Sequence, residues 1–187
     1  MSITLEYNFK NAVAAIAAIL QRTGNVQPLY NDIGEYLLIA HDRRFEQQQA
    51  PDGTPWRALS PRYLHNKKKN KNKILQLDGY LKNLLRYQST ESQLLFGSDR
   101  VYARIHHLGG QIKREARDSD VYFRQNKDGS VGNRFVKRKQ SNFAQRVKIG
   151  SYTINMPARP WLGTSAQDDA EILAITNRYL ESIINAS

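Results

Sequence analysis

Helical periodicity occupies both ends of this chain and strand-like runs fill its middle, an ordering that limits the fold more than any other feature of the sequence. Leu5, Phe9, Ala12, Val13, Ile16, Ile19 and Leu20 recur at steps of three and four, which predicts an amphipathic helix over residues 4–22, stopped by Thr23-Gly24-Asn25. After Pro28 the period repeats in Leu29, Ile33, Tyr36, Leu37, Ala40 and Phe45, with Asp32, Glu35, Asp42, Arg43 and Arg44 on the other side, and predicts a second helix over 29–49. A closing helix is expected from the stripe Ile172, Ile175, Tyr179 and Ile183, with Thr164 and Gln167 as a capping box and Asp168, Asp169 and Glu171 at its positive end.

Between these helices the runs 81–88 and 93–96 predict a hairpin across Ser89 to Ser92. Residues 121–125 and 134–138 flank Asn126-Lys127-Asp128-Gly129, a hairpin-type turn, and 147–149 with 152–154 around Gly150-Ser151 predict a last hairpin. Strands grouped between terminal helices, rather than alternating with them, predict an α+β fold: an antiparallel sheet packed by N-terminal and C-terminal helices, with a long basic β-hairpin-like insertion. The length of 187 residues suits a single domain over 1–187, with 111–148 as a mobile basic insertion.

Shorter signals punctuate the frame. Ala50-Pro51-Asp52-Gly53-Thr54-Pro55 ends the second helix in turns, and Trp56 and Leu59 read as apolar plugs holding that loop to the core. Pro61 suits the first position of a short helix starting near Ser60. Val101, Tyr102, Ile105 and Leu108 have helical spacing up to a stop at Gly109-Gly110. Met156-Pro157-Ala158-Arg159-Pro160-Trp161-Leu162-Gly163 reads as a stiff extended segment, since two prolines fix its backbone.

The formal charge of +11 is concentrated. Residues 67–73 hold five lysines, and 111–148 hold eleven Lys and Arg against four acids; the remainder of the chain has twelve basic and thirteen acidic residues. Lys67, Lys68, Lys69, Lys71, Lys73, Lys113, Arg114, Arg134, Lys137, Arg138 and Lys139 are therefore the candidate polyanion-facing residues. Tyr122, Phe123, Phe135 and Phe143 interleave with this charge, as stacking platforms for single strands do, but alternation that packs one face of a hairpin is the favoured reading.

Signatures of chemistry are scarce. No cysteine is present, which excludes disulfides and thiolate sites. His41, His65, His106 and His107 show no metal-ligand spacing; of the adjacent His106 and His107, one is expected to be packed and the other polar-facing. Asp118 and Asp120 lack the glycine and glutamate of a calcium loop, and no nucleophile elbow, phosphate loop or dinucleotide fingerprint occurs. We expect no enzyme activity, no metal and no cofactor. The longest apolar run, Ala12 to Leu20, is nine residues, so no membrane contact is expected, and Glu6 ahead of it with Gln21-Arg22 behind favours a helix over a signal-peptide core.

Four blocks stand in order over residues 40–185: Arg44-Phe45 through Ala50-Pro51-Asp52-Gly53-Thr54-Pro55-Trp56; Ile74-Leu75-Gln76-Leu77-Asp78-Gly79-Tyr80-Leu81; Tyr102-Ala103-Arg104-Ile105-His106-His107-Leu108-Gly109-Gly110; and Met156 to Gly163. Together they resemble the phage virion morphogenesis family, the Mu-like tail-completion and head-tail joining proteins. Tyr80 stands where a basic or small residue is common in that family, and 111–148 is long.

Trp56, Gly79, Tyr102, His106, Gly109, Pro157, Pro160 and Gly163 are the structural motif positions of these blocks; the glycines suit element ends, and Trp56 and Tyr102 supply large apolar area. Arg159, held between two prolines, and Trp161 are candidate subunit-interface residues, with the guanidinium reaching a neighbour's carboxylate. The resemblance implies a non-enzymatic virion protein of the tail or neck, assembled in the bacterial cytoplasm. It implies a homo-oligomeric ring, expected to be a hexamer, that meets tail-tube, terminator or head-tail connector proteins. The basic segments would then face packaged DNA or acidic connector surfaces. The alternative is a nucleic-acid-binding module acting outside the virion through residues 67–73 and 111–148.

Overall fold

The computed structural model describes residues 3–6 and 25–185. The chain divides into two compact units, one formed by residues up to Gly110 together with those from Pro157 onward, the other by Gln111–Met156.

In the first unit, helix α1 (Gln27–Gln47) buries Leu29, Tyr30, Ile33, Gly34, Leu37, Ala40, His41, Arg44 and Phe45, the three- and four-residue steps of one wide face. Pro28 lies in its first turn, where a missing N–H costs nothing, and Gln48 ends it with φ 58° and an N–H donated to the Arg44 carbonyl at 2.8 Å. The predicted bounds of 29–49 hold to within two residues. Arg44, expected on the polar side, instead lies in the buried face.

A three-stranded sheet in the order β1-β3-β2 packs beside α1. Strand β2 (Arg86–Ser89) and strand β3 (Leu94–Ser98) form the expected antiparallel hairpin, with Tyr87 opposite Phe96. Strand β1 (Ile3–Glu6) pairs antiparallel with the other edge of β3, Leu5 opposite Phe96. The helix expected over 4–22 is thus a strand at its start, because an edge of β3 offers ladder partners there; its remainder, 7–22, lies outside the described residues. The first half of the run 81–88 is also not a strand. Gly79 at φ 82° starts one helical turn, α3 (Tyr80–Asn83), in which Asn83 donates its N–H to the Gly79 carbonyl at 2.9 Å and Leu81 is buried.

Gly34, in the middle of α1, is explained by this sheet. A Cβ there would lie 2.5 Å from Cδ2 of Tyr87, so the helix accepts a residue that costs about 1 kcal/mol relative to Ala in exchange for close approach of the ring. Short helices α2 (Pro61–Asn66), capped by Ser60, and α4 (Ala103–Leu108) follow as expected. The long helix α5 (Ala166–Asn185) packs on α1. Leu37, Phe45, Phe96, Trp161, Ile172 and Ile175 join one core cluster between these elements.

The second unit contains two ladders of two strands, β4 (Gly110–Arg114) with β7 (Tyr152–Met156) and β5 (Arg117–Phe123) with β6 (Phe143–Ile149). Two expected hairpins are corrected here. Residues 134–138 form no strand, and β5 pairs antiparallel with β6, from Arg117 opposite Ile149 to Phe123 opposite Phe143. The runs near 147–149 and 152–154 are strands as expected, but they belong to different ladders. The Asn126 to Gly129 turn survives inside a smaller loop closed by a Gln125–Val131 bridge and an Asn126 N–H donated to the Ser130 carbonyl at 2.8 Å. No residue of 111–156 is fully buried.

Candidate functional site

The residues singled out in the fourth block converge inside the first unit. The segment 157–163 threads past the C-terminal end of α4 and the loop after α1. Trp56 is buried and donates Nε1–H to the Pro160 carbonyl at 2.7 Å; its ring meets Phe45 edge-on at 5.3 Å. Trp161 is fully buried, donates Nε1–H to the Ala103 carbonyl at 3.2 Å and packs edge-on against His107 at 5.8 Å. Each of these side chains contributes about 1.5–3 kcal/mol by leaving water. Gly163, at φ 135°, would drive a Cβ to 3.0 Å from Cγ of Pro51, so it joins the first and fourth blocks by close backbone approach. Gly109, at φ 71°, ends α4 with its N–H on the Ile105 carbonyl at 3.0 Å.

Both histidines of α4 are half-buried, so the expected division into one packed and one polar-facing ring is corrected. His107 Nδ1 accepts from the N–H groups of Trp161 (3.2 Å) and Leu162 (3.4 Å), which places the ring proton on Nε2. The His106 ring sits edge-on to Tyr102 at 5.9 Å. Burial lowers both pKa values, and the Arg159 guanidinium lowers that of His106 further. The two N–H groups donated to His107 Nδ1 require a neutral imidazole there.

Arg159 and Trp161 do not present an interface. Arg159 is only 5% exposed, and its Nε and Nη2 donate to the carbonyls of Arg57 (2.7 Å) and Ala58 (3.1 Å). Its own N–H donates to the His106 carbonyl at 2.9 Å, and Pro157 and Pro160 hold that extended path. The guanidinium therefore ties the loop after Trp56 to the 157–163 segment, and the expected contact of these two residues with a neighbouring subunit is corrected to an internal role.

A buried ionic cluster that sequence reasoning missed links α1 to the start of α5. Arg44 Nη2 donates to Asp168 Oδ2 at 2.8 Å, and Nη1 donates to the carbonyls of Trp161 (3.2 Å) and Gly163 (2.7 Å). Asp168 Oδ1 accepts from the Tyr36 hydroxyl at 2.9 Å, and Oδ2 accepts from the N–H and hydroxyl of Ser165, both at 2.8 Å. The cap of α5 is thus Ser165 with Asp168, one residue on from the expected Thr164 with Gln167, because Arg44 draws Asp168 inward. Burial alone would raise the Asp168 pKa, but the Ser165 and Tyr36 donors and the guanidinium outweigh it and hold the carboxylate below its ordinary value. Burial, with the hydrogen bond to Asp168, pushes the Tyr36 phenol up to about 12. One turn away, His41 donates Nδ1–H to the Leu37 carbonyl at 2.7 Å and packs against Phe96, ring centroids 4.5 Å apart and tilted by 40°. Burial, then the Arg44 charge, lower its pKa to about 3. The Arg44 and Tyr36 side chains on α1 both reach Asp168 at the start of α5, and Arg44 also holds the Trp161 and Gly163 carbonyls, which makes the cluster a structural clamp.

The basic candidates divide by environment. Lys67 is buried, and its ammonium donates to the carbonyls of Asn70, at 2.6 Å, and Lys73, so its expected polyanion-facing role is corrected. It shapes the loop from inside. Lys69 pairs with Asp78 at 2.8 Å and Lys73 with Glu46 at 2.5 Å, whereas Lys68 and Lys71 are exposed. In the second unit Lys113 and Arg114 are exposed on β4, and Arg134, Lys137, Arg138 and Lys139 are exposed in the segment between Val131 and β6. The aromatics only partly follow the expected alternation: Phe123 and Phe143 share one face of the β5–β6 ladder, Tyr122 lies on the charged face, and Phe135 stands 73% exposed in the loop.

Among the described residues no group of three or more His, Asp or Glu side chains could hold a metal ion, and no helix is long and apolar enough to cross a membrane. Comparisons with curated proteins and with solved structures find no match. The sequence model of the phage virion morphogenesis family, by contrast, matches residues 7–181, a span that takes in all four blocks, the clamp and the whole second unit. With nearly its full length matched, the chain belongs to the phage virion morphogenesis family.

Proposed function

We propose that the protein completes the phage tail or joins it to the head, acting as a non-enzymatic ring of identical subunits at the head-proximal end of the tail. The family match over residues 7–181 carries this reading, since it already gives the chain a role in virion assembly. The geometry supports a scaffold: the residues of the four blocks lock loops and helices to each other, and the charged side chains in the interior bind the chain's own carbonyls and carboxylates. A ring with sixfold symmetry matches that of a long tail, and head-to-tail contacts between unlike faces of one subunit close such a ring.

The test is an amber mutation in the gene within the phage that carries it. Particles from a non-suppressing host, viewed by electron microscopy, are expected to be filled heads and separate tails, with joining restored by the added protein. Normal infectious particles lacking the protein would refute the reading. The subunit count comes from the mass of the assembly released from purified tails, with six copies expected.

A further inference from the structure

The positive charge of the second unit is not spread along it. On the β5–β6 ladder successive residues alternate faces, and the register puts Asp118 opposite Lys148 and Asp120 opposite Arg146 on one face. Arg146 also reaches Asp118 at 3.4 Å. Opposite charges thus face each other along that side, and the ladder is nearly self-compensated. The other face carries the half-buried Val121, Phe123, Phe143, Val147 and Ile149, with the exposed Arg117 as its one charge, at the end of the ladder far from the Phe123–Phe143 pair.

Beyond the Phe123–Phe143 pair, residues 124–142 hold six Lys and Arg and a single acid. That acid, Asp128, is occupied in its own turn, accepting from the Ser130 N–H (2.9 Å) and hydroxyl (2.6 Å). The loop is built rather than loose in its bonding. Asn142 exchanges side-chain hydrogen bonds with the N–H and carbonyl of Gln125 at 2.7 and 2.9 Å. Val136 donates its N–H to the Tyr122 carbonyl at 2.8 Å, and Arg124 Nε donates to the Gln140 carbonyl at 3.1 Å. Lys127, Arg134, Lys137, Arg138 and Lys139 are all exposed and have no acidic partner among the described residues. β4 and β7 adjoin the Arg117–Ile149 end of the ladder, so the charge sits at the opposite end, as a cap.

We propose that this cap is a docking surface for the sugar-phosphate backbone of duplex DNA, carried by Lys127, Arg134, Lys137, Arg138 and Lys139. An acidic protein is the less suitable partner. Protein interfaces have apolar centres depleted of lysine, whereas three of these five residues are lysines and the strongly exposed apolar side chains nearby are Phe135 and, at 42%, Val131. Phosphate recognition needs only such mobile point charges and no apolar centre. The setting, DNA crossing the head-tail junction, rests on the assembly reading above; the binding surface itself does not.

The experiment measures binding of the full-length protein to a labelled 30-base-pair duplex of mixed sequence by fluorescence anisotropy between 50 and 200 mM salt. Five phosphate contacts predict an affinity loss of roughly 500-fold over that range. The variant with Arg134, Lys137, Arg138 and Lys139 all changed to Gln keeps one contact and should lose only about three- to fourfold. Arg146→Gln with Lys148→Gln, on the compensated ladder, should keep the wild-type slope, as should the charge-preserving pair Lys137→Arg and Lys139→Arg. Unchanged melting curves check that the substituted proteins fold. A wild-type slope in the fourfold Gln variant overturns the proposal, as does an equal loss in the ladder variant. If wild type binds no duplex and the fourfold Gln variant fails to join tails, the cap meets a protein surface and the proposal is likewise overturned. If the DNA results hold but the protein is absent from tails, the DNA surface stands and the assembly reading falls.

Discussion

His41 should make the first unit acid-sensitive in a pH range where most proteins are indifferent. Its ring is fully buried on Phe96, with Nδ1–H on the Leu37 carbonyl, and its folded pKa of about 3 lies far below the ordinary 6.5. The folded state therefore holds a neutral ring while the unfolded chain takes up a proton as pH falls through 6.5, so stability present above 6.5 drains away on acidification. At pH 5 the loss due to this one group is about 2 kcal/mol, 1.36 kcal/mol for each of the 1.5 pH units below 6.5. That figure barely depends on the folded value, because any folded pKa well under 5 leaves the native ring unprotonated at pH 5.

Urea unfolding followed by tryptophan fluorescence is the assay, since the protein has two tryptophans and both Trp56 and Trp161 lie in the first unit. His106 and His107, also lowered by burial, add a loss of the same sign, so the informative quantity is the difference in pH slope between wild type and His41→Phe. The phenyl ring packs where the imidazole did but cannot titrate, and any offset it causes is the same at pH 7 and pH 5. A His41→Phe protein that loses as much stability as wild type between those pH values would refute the reasoning.

Three further outcomes follow from the packing. Asp168→Ala should cost about 3–5 kcal/mol in the same urea assay, because it leaves the Arg44 guanidinium buried without its carboxylate and uncaps α5; a loss under 1 kcal/mol would show the clamp to be dispensable. Gly34→Ala should destabilise by about 1–3 kcal/mol, although Ala is the better helix former, since its Cβ would displace the Tyr87 ring; a stabilised variant would refute the close packing. Brief trypsin treatment should cut first in the second unit, at exposed sites such as Lys137 to Lys139, because no residue of 111–156 is fully buried and local opening is least costly there; mass spectrometry showing first cuts in α1 or α5 would contradict this.

Local signals in the sequence carried far. The period of α1, the Ser60-Pro61 start of α2, the glycine stop of α4 and the Trp56 plug each depend on neighbours a few residues away, and each is where the pattern put it. The α+β class follows from the order of those segments, and the four blocks sufficed to suggest the family that the match over residues 7–181 establishes.

What the sequence left open were choices between partners distant in the chain. Residues 134–138 have the composition of a strand, but β5 finds a longer match in β6, and residues 4–6 read as helix until an edge of β3 is available to them. The same holds for charge. Arg44, Arg159 and Asp168 have the composition of surface residues and lie inside, because carbonyls, a guanidinium and a carboxylate from segments up to 124 positions away satisfy them. Within a helical turn or a tight loop, backbone sterics set the conformation and the sequence by itself determined it. Whether a cation faces solvent or the interior turns on desolvation against hydrogen bonds that only the folded chain brings together, and that only the tertiary structure decided.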